Sequence, residues 1–216
     1  MTQRRVRAYL GLGANVGDAE ATLTDAVEAL AALPGARLRG VSRLYATDPV
    51  GVIDQHEFHN AAVALDVPAG RDRETGALEL LKGLKDLERA FGRRARRRWG
   101  PREIDLDLLV FGRARLAVER TPEARSIDAD GDPAKATKVL EVPHPEAAGR
   151  LFVLAPLADL APRLVPPGWV ETVETARRRQ ARMEGETAVR VVGEWDPVAR
   201  RWRRARRSPA GPAQPR

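Results

Sequence analysis

Apolar and polar residues along the chain follow two spacings, a period of two and a period near 3.6, and the switches between them outline the elements. Residues 6–14, VRAYLGLGA, predict a first strand. Asp18 stands where a helix N-cap belongs, and Leu23, Ala26, Val27, Leu30 and Leu33 follow at helical spacing until Pro34-Gly35 stops the element. Residues 36–47 predict a second strand and 48–57 carry the Pro and Gly of a loop. Residues 58–67 alternate through Ala61, Val63, Leu65 and Val67, as a strand with one buried face should. A second helix is predicted from Asp72 to Phe91, with Leu80, Leu84, Leu87 and Phe91 as its stripe and Gly92 as its stop. EIDLDLLVF (103–111) returns to strand.

The rest of the chain is less regular. Residues 113–138 are polar without periodicity and predict a long mobile loop. KVLEVPHP (138–145) predicts a strand and a turn, and the mainly apolar 146–162 packs behind it. A last helix is expected over 172–183 and a last strand over 187–195. From Pro197 onward Arg, Pro, Ala and Gly dominate, which predicts a disordered tail. The order β-α-β-β-α-β with closely spaced strands predicts an α+β two-layer sandwich with a mainly antiparallel sheet, a single domain over 1–196 and a basic tail over 197–216.

Composition narrows the class. With 216 residues, 43% apolar and 31% charged, the chain can bury one sizeable core. It has no cysteine, so disulfides, thiolate ligands and thiol redox chemistry are excluded. The opening apolar run breaks at Asn15 and Asp18, too early for a secretory leader, and no later run is long enough to span a bilayer. A cytoplasmic protein is expected. The net charge of +7 is a property of one end: Arg200, Arg201, Arg203, Arg204, Arg206, Arg207 and Arg216 lie in a stretch without an acidic residue.

The stretch RWGPREIDLDLLVF (98–111) carries the chemistry. Positions two apart on a strand share a face, so Asp105 and Asp107 project to one side about 7 Å apart. At an effective dielectric near 20 they repel by roughly 2 kcal/mol. Ile104, Leu106 and Leu108 take the opposite, core-facing side. A wet acidic face on an amphipathic strand accounts for the pattern. So does a metal site, because hard cations such as Mg2+ take few carboxylates and complete their shell with substrate phosphates. Arg93, Arg94, Arg96, Arg97, Arg98 and Arg102 lie immediately upstream, where guanidiniums suit a polyphosphate. The same arginines could equally face solvent or nucleic acid.

RWGPREIDLDLLVFG closely resembles the signature of the 6-hydroxymethyl-7,8-dihydropterin pyrophosphokinases, Arg-Trp-Gly-Pro-Arg, two residues, Asp-x-Asp. YLGLGANVGD resembles the family's opening Gly-x-Gly-Ser-Asn with Ala14 in place of Ser, and SRLYATDPVG its Ser-x-x-Tyr-x-Thr-x-Pro-x-Gly loop. FHNAAVAL resembles its aromatic-x-Asn strand, and VPHPEAAGRLFVLAPLADLAP its Val-Pro-His, Arg-x-Phe and Pro-Leu series. The blocks keep the family's order over roughly 6–165.

The resemblance implies a ferredoxin-like fold and a reaction in which ATP gives its β,γ-pyrophosphate to the pterin hydroxymethyl group and AMP leaves. It implies that Asp105 and Asp107 hold two Mg2+ ions, with Arg93 and Arg102 joining them at the reacting phosphates. His144 and Arg150 would contact the triphosphate, and Glu88, Arg98, Trp99 and Leu108 would lie on the nucleotide side. Phe58 and Phe152 would sandwich the pterin ring, with Thr47, Val50 and Asn60 beside it. The partners implied are the small molecules ATP and the pterin, acted on by a monomer without a membrane.

The bare residues are compatible with this. Two rings and an amide suit a flat heterocycle. Pyrophosphoryl transfer asks for positioning and charge neutralisation more than for a nucleophile. Taken alone, Phe58 or Phe152 would be core, Asn60 a strand-end polar residue and His144 a turn residue. Three departures stand out: the spacing from Gly92 to Trp99 is one residue shorter, Asp48 stands where Pro is common, and 113–138 is longer. GLGANVG is neither a full dinucleotide fingerprint nor a phosphate-binding loop, and Gly11 and Gly13 are expected to permit close backbone approach. The rival function is a nucleic-acid-binding module built on the arginines of 93–102 and 200–207, against which the 5% aromatic content argues.

Overall fold

The computed structural model describes residues 4–48, 56–93, 102–125 and 138–204. Strand β1 (Arg5–Ala14) leads to α1 (Ala19–Ala31), whose N-cap Asp18 accepts from the Ala21 amide at 3.0 Å. The predicted strand over 36–47 is two, β2 (Arg37–Val41) and β3 (Leu44–Thr47). Both pair with β4 (Phe58–Pro68), and the chain turns between them at Ser42, whose hydroxyl accepts from the Ala62 amide at 2.8 Å. Helix α2 (Arg73–Ala90) is capped by Asp72, which accepts from the Thr75 amide at 2.7 Å, and is stopped by Gly92 at φ 77°. Then come β5 (Asp105–Phe111), β6 (Leu116–Glu119), β7 (Val139–Val142), α3 (Leu151–Leu160), α4 (Val173–Glu184), β8 (Val189–Asp196) and β9 (Arg201–Arg204).

The main sheet runs β5-β1-β4-β3-β8-β9, with β2 also on β4, and every pairing in it is antiparallel. Its first four positions have the order of a ferredoxin-like sandwich. Leu10 and Leu12 of β1, Val63 and Leu65 of β4, and Leu106 and Leu108 of β5 meet Leu23, Val27 and Leu30 of α1 and Leu81 and Leu84 of α2 in the larger core. The opposite face is half covered by α3 and α4, through Leu154, Leu157, Val173 and Ala176 against Leu109 and Val110. Strand β4 is therefore buried on both faces. Ala62 and Ala64, polar-face positions in a simple alternation, are at most 4% exposed because α3 lies over them.

Two further expectations are corrected. Part of the predicted 113–138 loop is regular: β6 pairs with β7 in a separate two-stranded sheet, and a short 3-10 turn follows at Pro122–Ala124. The tail does not lose order at Pro197. Asp196 accepts from the amides of Val198 and Ala199 at 2.8 and 2.9 Å, turning the chain back so that β9 pairs with β8. Trp202, 2% exposed, packs edge-on to Trp195 with ring centroids 4.8 Å apart and donates to the Ser42 carbonyl at 2.9 Å. Burying such a ring contributes roughly 2–3 kcal/mol, enough to hold a strand whose other residues are arginines. That aromatic is thereby removed from any nucleic-acid stacking surface. Residues 205–216 lie outside the described residues. No helix among the described residues is long and apolar enough to cross a membrane.

Candidate active site

Cross-strand register builds the site on the face of the sheet away from α1 and α2. Asp105 of β5 stands opposite Gly13 of β1, which stands opposite Asn60 of β4, which stands opposite Tyr45 of β3. One pair further along, Asp107 faces Gly11 and Gly11 faces Ala62. With strands about 4.8 Å apart, the carboxylates and the Asn60 amide flank a bare strip of glycine roughly 10 Å across. A Cβ on Gly11 would have the Leu109 side chain as its nearest neighbour at 3.5 Å, and one on Gly13 would come 3.3 Å from Asn60 Oδ1. The glycines therefore keep a floor clear rather than admit a neighbouring backbone, which corrects the sequence reading of them.

Above that floor is a cavity of about 470 Å3 bordered by Phe58, Asn60, Thr47, Phe152, Val153 and Val189. Asn60, 6% exposed, donates from Nδ2 to Thr47 Oγ1 at 3.0 Å, which fixes its amide plane. A second cavity of about 280 Å3 is bordered by Lys85, Arg93, Arg120, Leu108, Leu140 and His144. Asp105, Asp107, Arg102 and Arg150 border both. The guanidinium of Arg150 lies 5.7 Å from the centre of the Phe152 ring and is ion-paired to Glu146. His144 is held through its amide, 2.9 Å from the Leu109 carbonyl, just after a cis Val142–Pro143 peptide.

The two aspartates differ. Asp105 is paired with Arg93 at 2.6 Å and with Arg102. Burial alone would raise its carboxyl, but Arg93, Arg102 and Lys85 outweigh that and hold it below the usual carboxylate range. Asp107 makes no hydrogen bond or ion pair among the described residues. Glu88 lies behind the site, fully buried, and borders neither cavity. It accepts from Lys85 Nζ at 2.8 Å and from the Leu106 amide at 2.7 Å, and pairs with Arg93 at 2.6 Å. Burial pushes its carboxyl up against the pull of Lys85 and Arg93. Glu88 anchors two cations and the start of β5 from beneath. Asn15, 3% exposed, ties the rim: its Oδ1 accepts from the Arg102 amide at 2.7 Å and its Nδ2 donates to the His56 carbonyl at 3.1 Å.

Arg93, Arg102, Asp105, Asp107, Leu108, His144, Arg150, Thr47, Phe58, Asn60 and Phe152 are thus brought to the two cavities. Val50, Arg98 and Trp99 lie outside the described residues, as do Arg94, Arg96 and Arg97. The structure adds Arg120, which the sequence left inside a polar loop. Its Nε donates to the Val139 carbonyl at 3.2 Å, and burial lowers its affinity for its proton, with Asp107 the main opposing influence. Among the described residues it has no ion-pair partner.

Residues 9–162 match the family described as 7,8-dihydro-6-hydroxymethylpterin-pyrophosphokinase. The chain belongs to that family. This pyrophosphokinase is 41% identical over 185 residues to the 2-amino-4-hydroxy-6-hydroxymethyldihydropteridine pyrophosphokinase of Methylorubrum extorquens, covering 86% of this chain and 98% of the relative. It is 38% identical to the protein of that name from Pseudomonas aeruginosa, over 74% of this chain and 84% of the relative. Among solved structures it is similar in fold to Plasmodium falciparum HPPK-DHPS with pteroate, at TM-score 0.69 and 13% identity over 96% of this chain. The pyrophosphokinase spans only about half of that longer chain, 49% of its length.

Proposed function

We propose that the two cavities divide the two substrates of the family reaction, the pterin in the larger and ATP in the smaller. The reaction follows from membership: pyrophosphoryl transfer from ATP to the hydroxymethyl group of 6-hydroxymethyl-7,8-dihydropterin, with release of AMP, in folate biosynthesis. The observation that carries the division is the junction, where a ring-lined cavity and a cation-lined cavity meet at Asp105, Asp107, Arg102 and Arg150.

In this reading Phe58 and Phe152 hold the heterocycle, while Asn60, its amide set by Thr47, reads its hydrogen-bonding edge. Lys85, Arg93, Arg120 and His144 meet the triphosphate, and Arg102 and Arg150 reach it from the shared wall. The hydroxymethyl oxygen forms a bond to the β-phosphorus as the bond from that phosphorus to the α–β bridging oxygen breaks, so AMP leaves and the hydroxyl proton is lost. No protein nucleophile is needed; the side chains orient the two substrates and offset phosphate charge.

Magnesium serves ATP in this family, and the donor set fits it: two carboxylates on one strand face, too few for a closed protein cage and suited to sharing a hard cation with phosphate oxygens. Asp105 and Asp107 would hold two Mg2+ ions, whose charge would offset that of the phosphates, and Asp107 has no ion-pair partner among the described residues. In this reading the enzyme acts as a monomer in the cytoplasm, on ATP and the pterin alone.

The test is product identity. Given Mg-ATP and the hydroxymethyl-dihydropterin, the protein should release AMP, and omission of the pterin should abolish the release. ADP as the nucleotide product, or AMP formed equally without pterin, would overturn the reading.

A further inference from the structure

Helix α3 carries the Arg150–Phe152 edge of the larger cavity, yet its own first turn lacks a local cap. Arg150 is the N-cap residue and makes no side-chain capping bond. The Leu151 amide instead donates at 3.0 Å to Oε1 of Glu184, the last residue of α4, 33 positions away. The same oxygen accepts from Gln180 Nε2 at 2.7 Å, and Gln180 is only 7% exposed, so the carboxylate is aimed from beneath by a fixed amide. One turn earlier on α4, Arg179 donates to the Ala148 carbonyl at 2.9 Å. The two bonds seize the chain on either side of Arg150. Beyond Glu184 the backbone turns at Gly185, with φ 99°, and brings Ala188 and Val189 into the cavity wall beside Glu184 itself. Arg179, Gln180, Glu184, Ala188 and Val189 lie past residue 162, where the family match ends, whereas the helix start they hold lies within it.

We propose that Glu184 is a positioning residue for the pterin site: by capping α3 from across the fold it sets where Arg150 and Phe152 stand. The proposal rests on the assignment of the larger cavity to the pterin. A carboxylate suits the task because it accepts two donors at once and carries the charge that a helix N-terminus favours. The smaller cavity shares Arg150, but it takes Lys85 from α2, Arg93 from just after it and Arg120 from the chain after β6, and none of these three is attached to α4. Loss of the cap should therefore be felt unequally by the two ligands.

Equilibrium binding of the hydroxymethyl-dihydropterin and of a non-hydrolysable Mg-ATP analogue, with kcat and both KM values, tests this on the full chain. Glu184→Ala should weaken pterin binding about fivefold, the size of effect a lost helix cap carries, with the nucleotide analogue weakened only about twofold, because of the residues the cap positions only Arg150 borders the smaller cavity. Glu184→Gln, whose amide oxygen still accepts from Leu151, should recover most of the loss. Equal weakening of both ligands, an unchanged pterin affinity in Glu184→Ala, or no recovery in Glu184→Gln would overturn the proposal. Far-UV spectra and thermal midpoints identify a variant that has lost its fold, in which case Gln180→Leu, which frees the carboxylate without removing it, takes its place with the same selective loss expected. If the parent protein releases no AMP, the functional reading fails; if it does and Glu184→Ala matches it for both ligands, only this inference fails.

Discussion

The larger cavity is walled by phenyl rings, glycines and valines, whereas the smaller one is walled by Lys85, Arg93, Arg120 and His144, although both border Asp105 and Asp107 of β5. In the proposed division one would hold a flat ring and the other the charged triphosphate. The difference originates in what lies opposite β5. Toward β1 the register places Gly11 and Gly13 against the carboxylates, leaving open floor; toward α2 the same strand meets the buried chain Lys85–Glu88–Arg93–Asp105. Two recognition modes thus share one pair of aspartates, and the shared wall is where transfer would take place.

Removing the shared element should do the most damage. Asp107→Ala should lower kcat about a thousandfold while leaving the thermal midpoint close to that of the parent, since Asp107 is partly exposed and makes no ion pair among the described residues. Near-normal turnover in that variant would mean that the cavities do not join through it. A crossed pair of substitutions then separates the two walls. Phe152→Ala should weaken pterin binding roughly tenfold to fiftyfold with little change in nucleotide affinity. Arg120→Ala should weaken Mg-ATP binding about tenfold with little change for the pterin. Titration of each ligand against each variant reads the contrast directly, and a single pattern of loss in both variants would merge the cavities into one site.

The smallest effect concerns support for the apolar side. Glu174 on α4 is pulled from the usual 4.5 to about 2, first by its hydrogen bond to Arg177, against a desolvation cost, and then by Arg178. Its native value is depressed, so its contribution is complete above about pH 4.5 and is lost as pH falls toward about 2. Glu174→Gln should cost less than about 1 kcal/mol at neutral pH, because the pair is partly solvated, and parent and variant should converge near pH 2. Urea denaturation across that range measures it.

Much of the site was legible because its signals are local. Asp105 and Asp107 alternate with Leu106 and Leu108, which fixes both the acidic side and the buried side of one strand. Phe58 and Asn60, again two apart on β4, share a face for the same reason. Glu88 was legible as a conspicuous carboxylate but not as a fully buried anchor, since burial depends on Lys85, Arg93 and the Leu106 amide closing around it. Arg120 was hidden in a stretch whose polar composition masked a short strand, which becomes a strand only when β7 pairs with it. Trp202 was hidden among arginines, and its order comes from Trp195 and the Ser42 carbonyl, far away in sequence.

The sequence by itself determined α1, α2 and α4, the strands of the main sheet as far as β8 though not the break between β2 and β3, the family and most of the chemistry-bearing residues. Periodicity, caps and motif spacing are short-range properties that a chain states without folding. Tertiary structure alone decided that two cavities meet at Asp105, Asp107, Arg102 and Arg150, that Gly11 and Gly13 clear the floor between carboxylate and amide, and that Glu184 caps a helix begun 33 residues earlier. Those relations depend on sheet register and helix docking, which are set by the burial of whole faces rather than by any neighbouring residue.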